Sequence, residues 1–279
     1  MEITLLGTGS PIPDARRAGP ATLVRAGGQH LLVDAGRGVS MRLAAAGLPG
    51  PIFLHRVLLT HLHSDHVTDL NDLVTMRWAM SPVPSPLPIV GPPGTERFVQ
   101  RTLEMLRPDI GYRLAHHADL EWEPACDVVE VLDEVVGGAE GGGDAGVRIV
   151  AAPTDHRPVA PTVGYRIEHE GRSVVLAGDT VPCEGLDRLV AGADVYVQTV
   201  VRPDLIERIG IPRLNDVCDY HSSVEQAART AARAGVRTLV LTHMVPAPMP
   251  GDEQQWIEMA REHFDGEVLA PDDLTVVEV

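Results

Sequence analysis

At 279 residues, with 44% hydrophobic and 22% charged side chains, the chain has a globular composition and is long enough to bury a sizeable core in one large domain or two small ones. No apolar run approaches the ~20 residues of a membrane-spanning helix, and the opening MEITLLGTGS lacks the basic start of a secretory signal. A cytoplasmic protein with no membrane partner is therefore expected. The formal charge of -16, from 39 Asp and Glu against 23 Lys and Arg, repels a polyphosphate backbone and argues against a nucleic-acid partner. Cys126, Cys183 and Cys218 are too dispersed to suggest a disulfide framework or a thiolate metal site.

In chain order, MEITLLGTG is strand-like and ends in a glycine turn, ATLVRAGGQHLLVDAG predicts a hairpin around Gly27 and Gly28, and RVLLT is a short buried strand. Residues 67 to 80 have helical character, with Asp65 placed to cap them, and the proline-dense SPVPSPLP stops that helix. PPGTERFVQRTLEML predicts a further helix and ACDVVEVLDEVV a strand-like piece. The glycine-rich segment 137 to 146 has no GK[ST] ending of a phosphate loop and reads as a hairpin tip before the strand VRIVAAP. TVGYRIEHEGRSVVLAGD predicts a hairpin turning near Glu170 and Gly171. ADVYVQTV predicts a strand, SVEQAARTAARAG a helix, VRTLVLTH a buried strand, and the last segments a helix and terminal strands. Strand clusters in both halves, each followed by helices, predict an α/β architecture. Two mixed sheets would pack face to face with helices outside, a four-layer αββα sandwich made by residues 1 to 279 as a single domain.

The chemistry is concentrated in THLHSDH, residues 60 to 66. Imidazole and carboxylate together suit a metal such as zinc, and the alternation of His61 and His63 puts two imidazoles on one side of an extended segment. Asp65 and His66 fall on the turn that follows. One metal does not need four such groups, so the spacing suggests two metals at one strand-to-helix corner. Further donors recur at three other strand ends: His156 after VAAPTD, Asp179 after VVLAG and His243 after LVLT.

THLHSDH with downstream His156, Asp179 and His243 resembles the metallo-β-lactamase superfamily over nearly the whole chain. The resemblance implies a binuclear centre of two zinc ions, with manganese or iron as alternatives. His61, His63 and His156 would hold one ion, Asp65, His66 and His243 the other, and Asp179 would bridge them. A metal-bridging hydroxide would be the nucleophile, oriented by Asp65. The opening LGTGSPIPDARRAG and the segment HSSVEQAARTAARAGVRTLVLTH resemble the ribonuclease Z branch, which includes small phosphodiesterases and arylsulfatase-like enzymes. In that branch a histidine before a Ser/Thr pair assists the leaving group, and His221 is the matching residue; otherwise it flanks a helix beside the cap Ser222. A homodimer is implied by the same resemblance.

Asp34 is either a turn-forming aspartate before Gly36 or an acceptor that orients a ligand imidazole. Asp155 and Thr180 stand beside donors and pose the same choice. Arg16 and Arg17 either approach an anionic substrate or remain solvated. The segment before His221 either covers the metals, supplying Leu205, Ile206, Ile209 or Tyr220 to a substrate wall, or packs as a surface helix. Ribonuclease Z grips transfer RNA with a glycine- and lysine-rich arm, which has no counterpart here. After His243 the chain reads MVPAP in place of a Ser-x-Arg-Tyr-like element. The expected substrate is accordingly a small phosphodiester or aryl sulfate. The alternatives are a ribonuclease Z-type cut at transfer-RNA 3′ ends, hydrolysis of a β-lactam, lactone or other ester, and a non-catalytic metal-binding protein.

Overall fold

The computed structural model describes residues 1–137 and 146–279, so the tip expected in the glycine-rich segment falls almost wholly outside the described residues. Six strands form in the first half: β1 (Glu2–Gly7), β2 (Ala21–Ala26), β3 (Gln29–Val33), β4 (Arg56–Leu58), β5 (Leu87–Gly91) and β6 (Cys126–Glu130). The second half forms β7 (Glu134–Gly137), β8 (Arg148–Pro153), β9 (Val163–His169), β10 (Arg172–Leu176), β11 (Val195–Val201), β12 (Thr238–Val245) and β13 (Glu267–Leu269) before β14 (Thr275–Glu278). Among the described residues these build two seven-stranded mixed sheets, one ordered β14-β1-β2-β3-β4-β5-β6 and the other β13-β12-β11-β10-β9-β8-β7.

Both expected hairpins form. Gly27 and Gly28 take φ of 54° and 74°, and Glu170 and Gly171 take 49° and 74°, the left-handed pair that a two-residue turn needs to match strand twist. Strand sequences are nearly continuous in apolar residues because both faces are covered. Ile3, Leu5, Val24, Leu31 and Val33 of the first sheet meet Tyr165, Ile167, Val174, Leu176 and Val240 of the second in the central core. Each such buried side chain contributes about 1.5–3 kcal/mol.

The helices lie outside. On the first sheet are α1 (Val39–Ala45), α2 (Ser64–Val67), α3 (Leu70–Met80) and α4 (Thr95–His116), sharing a core with Leu6, Leu23, Leu32 and Leu59. On the second are α5 (Glu184–Val190), α6 (Pro203–Ile209), α7 (Pro212–Asn215), α8 (Val224–Ala234) and α9 (Glu253–Arg261). Of these α5, α8 and α9 bury Leu186, Ala227, Ala231 and Trp256 against Val175, Leu239 and Leu241. This is the expected four-layer sandwich. No described helix is long and apolar enough to cross a membrane.

Three local expectations change. The helix expected over 67 to 80 is two pieces, α2 and α3, and Asp65 caps neither: His63 holds the N-cap position of α2, and the carboxylate of Asp65 turns inward. The segment ACDVVEVLDEVV divides into β6 and β7, on the edges of opposite sheets, with Val131 buried at the crossing. The helix beginning at Thr95 continues through Pro108 to His116.

The C-terminal segment is stapled to the N-terminal one. Asp273 accepts from the Thr8 amide and hydroxyl and from the Ala18 amide, while buried Arg17 bonds to Thr8, the Pro271 carbonyl and Asp272. The Thr8 carbonyl in turn accepts from the amide of His243.

Candidate active site

Sheet direction assembles the site. β10, β11 and β12 run parallel, and two antiparallel steps through β9 bring β8 back into the same direction, so β8, β10 and β12 all end on one side. Their ends deliver His156, Asp179 and His243. The turn after β4 delivers His61 and His63, α2 delivers Asp65 and His66, and the loop before α8 delivers His221. All seven residues expected as metal ligands converge, and His221 joins them.

Asp179 is the centre. Its Oδ2 lies 3.1 Å from His221 Nε2, 3.4 Å from His66, 3.7 Å from His61 and 3.8 Å from both His156 and His243, each measured to Nε2. His63 Nδ1 stands 3.1 Å from His61 Nε2 and 3.3 Å from His156 Nε2. On the other side Asp65 Oδ2 is 3.2 Å from His243 Nε2 and 3.6 Å from His66 Nε2. Donor atoms of His61, His63, His156 and Asp179 lie within 4.8 Å of one another, as do those of Asp65, His66 and His243.

A second ring of contacts sets which nitrogen faces inward. His66 Nδ1 donates to Asp34 Oδ2 at 2.8 Å, His156 Nδ1 to the Tyr220 carbonyl at 2.8 Å, and His221 Nδ1 to the Val217 carbonyl at 2.9 Å. His61 Nδ1 donates to the Thr60 hydroxyl, which donates to Asp34. Each bond places the proton on Nδ1 and leaves Nε2 for the interior. Asp34 fulfils both of its expected descriptions: it has φ of 61°, and its carboxylate orients His66 directly and His61 through Thr60. Gly36 lets this loop close onto the ligand turn, since a Cβ there would lie 2.6 Å from the Asp65 carbonyl oxygen.

The donor set fits metal ions. Burial holds His61 well below its ordinary pKa and His156 down at about 4, so both are neutral at pH 7. Burial alone would raise Asp179, yet the charges of His243, His66 and His221 outweigh it and keep the carboxyl well below its usual range. For His66 burial pulls downward, and Asp179 and Asp34 overcome it. Neutral His61 and His156 beside the ionised Asp179 are in the states that metal binding requires, and His66 would give up its Nε2 proton to a bound ion. His66 Nε2 and Asp179 Oδ1 are buried without a hydrogen-bond partner, each costing about 1–3 kcal/mol unless a cation occupies the space between them.

Other candidates settle elsewhere. Only Tyr220 of the proposed substrate wall stands at the cluster. Leu205 packs on the outer core of the second sheet, Ile206 is buried against Val201 and Val245, and Ile209 is 45% exposed, because α6 turns its apolar side to a small core of its own. Arg17 is spent on the C-terminal staple, and Arg16 on Asp14 and the Pro248 carbonyl. Asp155 pairs with Arg157, and the Thr180 hydroxyl bonds to the Val181 carbonyl. Sequence reasoning passed over Thr60 and Val217. A hydroxyl flanking the ligand turn was a usable signal for the first; a carbonyl acceptor leaves none.

A family model for a beta-lactamase superfamily domain matches residues 29–244. The chain is 60% identical over 281 residues to Ribonuclease Z of Mycobacterium avium (strain 104), an alignment covering 100% of this chain and 98% of that one. It belongs to the ribonuclease Z family. Like its superfamily, this ribonuclease Z relative is a metal-dependent hydrolase. Its fold is that of the metallo-beta-lactamase fold protein YhfI from Bacillus subtilis, with a TM-score of 0.76, 22% identity, and coverage of 100% of this chain and 98% of that one. It also matches the short form of human tRNase Z, with a TM-score of 0.72, 24% identity, and coverage of 100% and 99%.

Family membership overturns two expectations: a small phosphodiester or aryl sulfate as substrate, and the exclusion of nucleic acid. A curated relative aligned over the whole chain carries the name of a ribonuclease. Both mistaken steps have a physical reason. With 281 aligned positions for 279 residues, the relative has no room for a long additional arm either. And a net charge of -16 is a sum over the surface that says nothing of the field at one cleft, where bound metal ions are the largest local charges.

Proposed function

We propose that this chain is a zinc-dependent endoribonuclease of the ribonuclease Z type that cuts precursor transfer RNA at its 3′ side. The observation that carries this reading is 60% identity to a ribonuclease Z over the full chain, together with a complete and convergent donor set in the structure. His61, His63 and His156 would hold one ion and Asp65, His66 and His243 the other, with Asp179 between them. Imidazole and carboxylate donors suit zinc. Bound ions of this kind supply a nucleophilic water at neutral pH and positive charge for the phosphoryl oxygens.

The chain's own groups do the positioning. Asp34 and Thr60 lock the rings of His66 and His61, and Asp65, held by His243, would orient the attacking water. His221, fixed through Nδ1 to Val217, turns Nε2 toward the cluster, where it is placed to donate to the departing oxygen. Among permanently cationic side chains RNA binding falls to arginine, since the sequence contains no lysine; the planar guanidinium suits bidentate phosphate contact.

The deciding assay presents zinc-loaded protein with a precursor transfer RNA, bis(4-nitrophenyl) phosphate, 4-nitrophenyl sulfate, a chromogenic cephalosporin and an aryl ester. Cleavage of the RNA at one position, weakening as salt rises and lost in His221→Ala, is expected. Turnover confined to the small substrates refutes the RNA reading.

A further inference from the structure

Tyr220 stands at the cluster with no part in the steps above. Its ring centroid is 5.1 Å from that of His156, with the planes 75° apart, and 4.8 Å from that of His221. Its carbonyl accepts the His156 Nδ1 hydrogen, so the backbone at this residue is fixed by the site itself. The side chain is half-buried, yet no described residue makes a hydrogen bond to the phenol oxygen.

The other three tyrosines sharpen the contrast. Tyr165 and Tyr196 are fully buried and donate to the Leu59 carbonyl and to Gln198, and Tyr112 is 74% exposed with water available. A phenol drawn out of water normally has a partner. Tyr220 is only half-buried beside the donor cluster, and its phenol oxygen, bonded to no described residue, is open to an incoming group. A phenol is a neutral hydrogen-bond donor at working pH. The imidazoles and carboxylates facing the interior are committed to metal. Tyr220 and His221, adjacent in sequence and in ring contact, are the donors left for a reactant.

We infer that Tyr220 contacts the substrate, donating its phenol hydrogen to a non-bridging oxygen of the phosphodiester under attack. The inference rests on the phosphodiester chemistry of the proposed function. A donor aimed at phosphoryl oxygens gains strength as charge collects on them in the transition state.

Tyr220→Phe tests it, because the ring packing and the backbone bond to His156 survive while the donor is lost. Expected are a fall of about 10- to 100-fold in kcat/KM on precursor transfer RNA and on bis(4-nitrophenyl) phosphate. Inorganic phosphate should bind the zinc-loaded variant about tenfold more weakly by calorimetry. Zinc affinity, measured by chelator competition, should be unchanged. Wild-type phosphate affinity and turnover in the variant would overturn the inference. So would a loss of zinc affinity as large as the loss of activity, which would make Tyr220 a support for His156. If the wild-type protein leaves the RNA intact, the RNA reading fails alone, and the phosphate calorimetry still decides the role of Tyr220.

Discussion

Residues 60 to 66 bring four candidate ligands to the site from a single turn of the first sheet, whereas the second sheet brings His156, Asp179 and His243 from three separate strand ends. The first group is placed by local backbone and by one carboxylate, Asp34. The second is placed by the register of β8 through β12, with pairs such as Leu176 with Val197 and Val197 with Val240 fixing where each strand stops. A compact motif tolerates disturbance of its sheet; a dispersed one inherits every error in strand alignment.

Five substitutions bear on that contrast. Asp179→Ala, at the point where the two groups meet, should cost the most: five imidazoles lose their common carboxylate, and cleavage should fall by about 10^3-fold or more with zinc content measured by mass spectrometry reduced. Asp34→Asn removes the anchor of the local group and should weaken zinc by about 10- to 100-fold in chelator titration. An unchanged affinity there would mean that the turn needs no external support.

Leu241→Ala on β12 and Leu32→Ala on β3 empty equally buried positions, and each should cost about 2–5 kcal/mol in urea unfolding. Zinc affinity should fall several-fold in the first and hold in the second; equal losses would erase the distinction between the sheets. The smallest effect is expected at Glu168 on β9, remote from the donors. Burial raises its pKa, but hydrogen bonds from Arg148 and Arg166 prevail and hold it below its ordinary 4.5. That depression stabilises the fold above pH 4.5, and the gain disappears as pH falls through the lower folded value. The Tm gap between wild type and Glu168→Gln should therefore be present at pH 7 and close in acid. A gap that widens in acid contradicts the assignment.

The same contrast explains what could be read from the amino acids. Hairpins at Gly27–Gly28 and Glu170–Gly171, strands, and the seven donors were legible because each announces itself within a few residues. The division of ACDVVEVLDEVV between two sheets was not, since the choice of partner strand lies with β5 and β8 rather than with the segment itself. Leu205 and Ile209 were plausible wall residues until α6 was seen to bury Ile206. Charge misled for a related reason: composition gives a total, and recognition depends on where the charge sits.

The staple between the two ends of the fold sets an order of events during synthesis. A nascent chain has exposed all seven donors once His243 has left the ribosome, but the Thr8 loop that braces the His243 amide is itself clamped by Asp273, and β1 gains its outer neighbour only with β14. The donor cluster is thus braced only by residues that emerge after its last donor. A polypeptide cut short before that point would carry the donors without their brace.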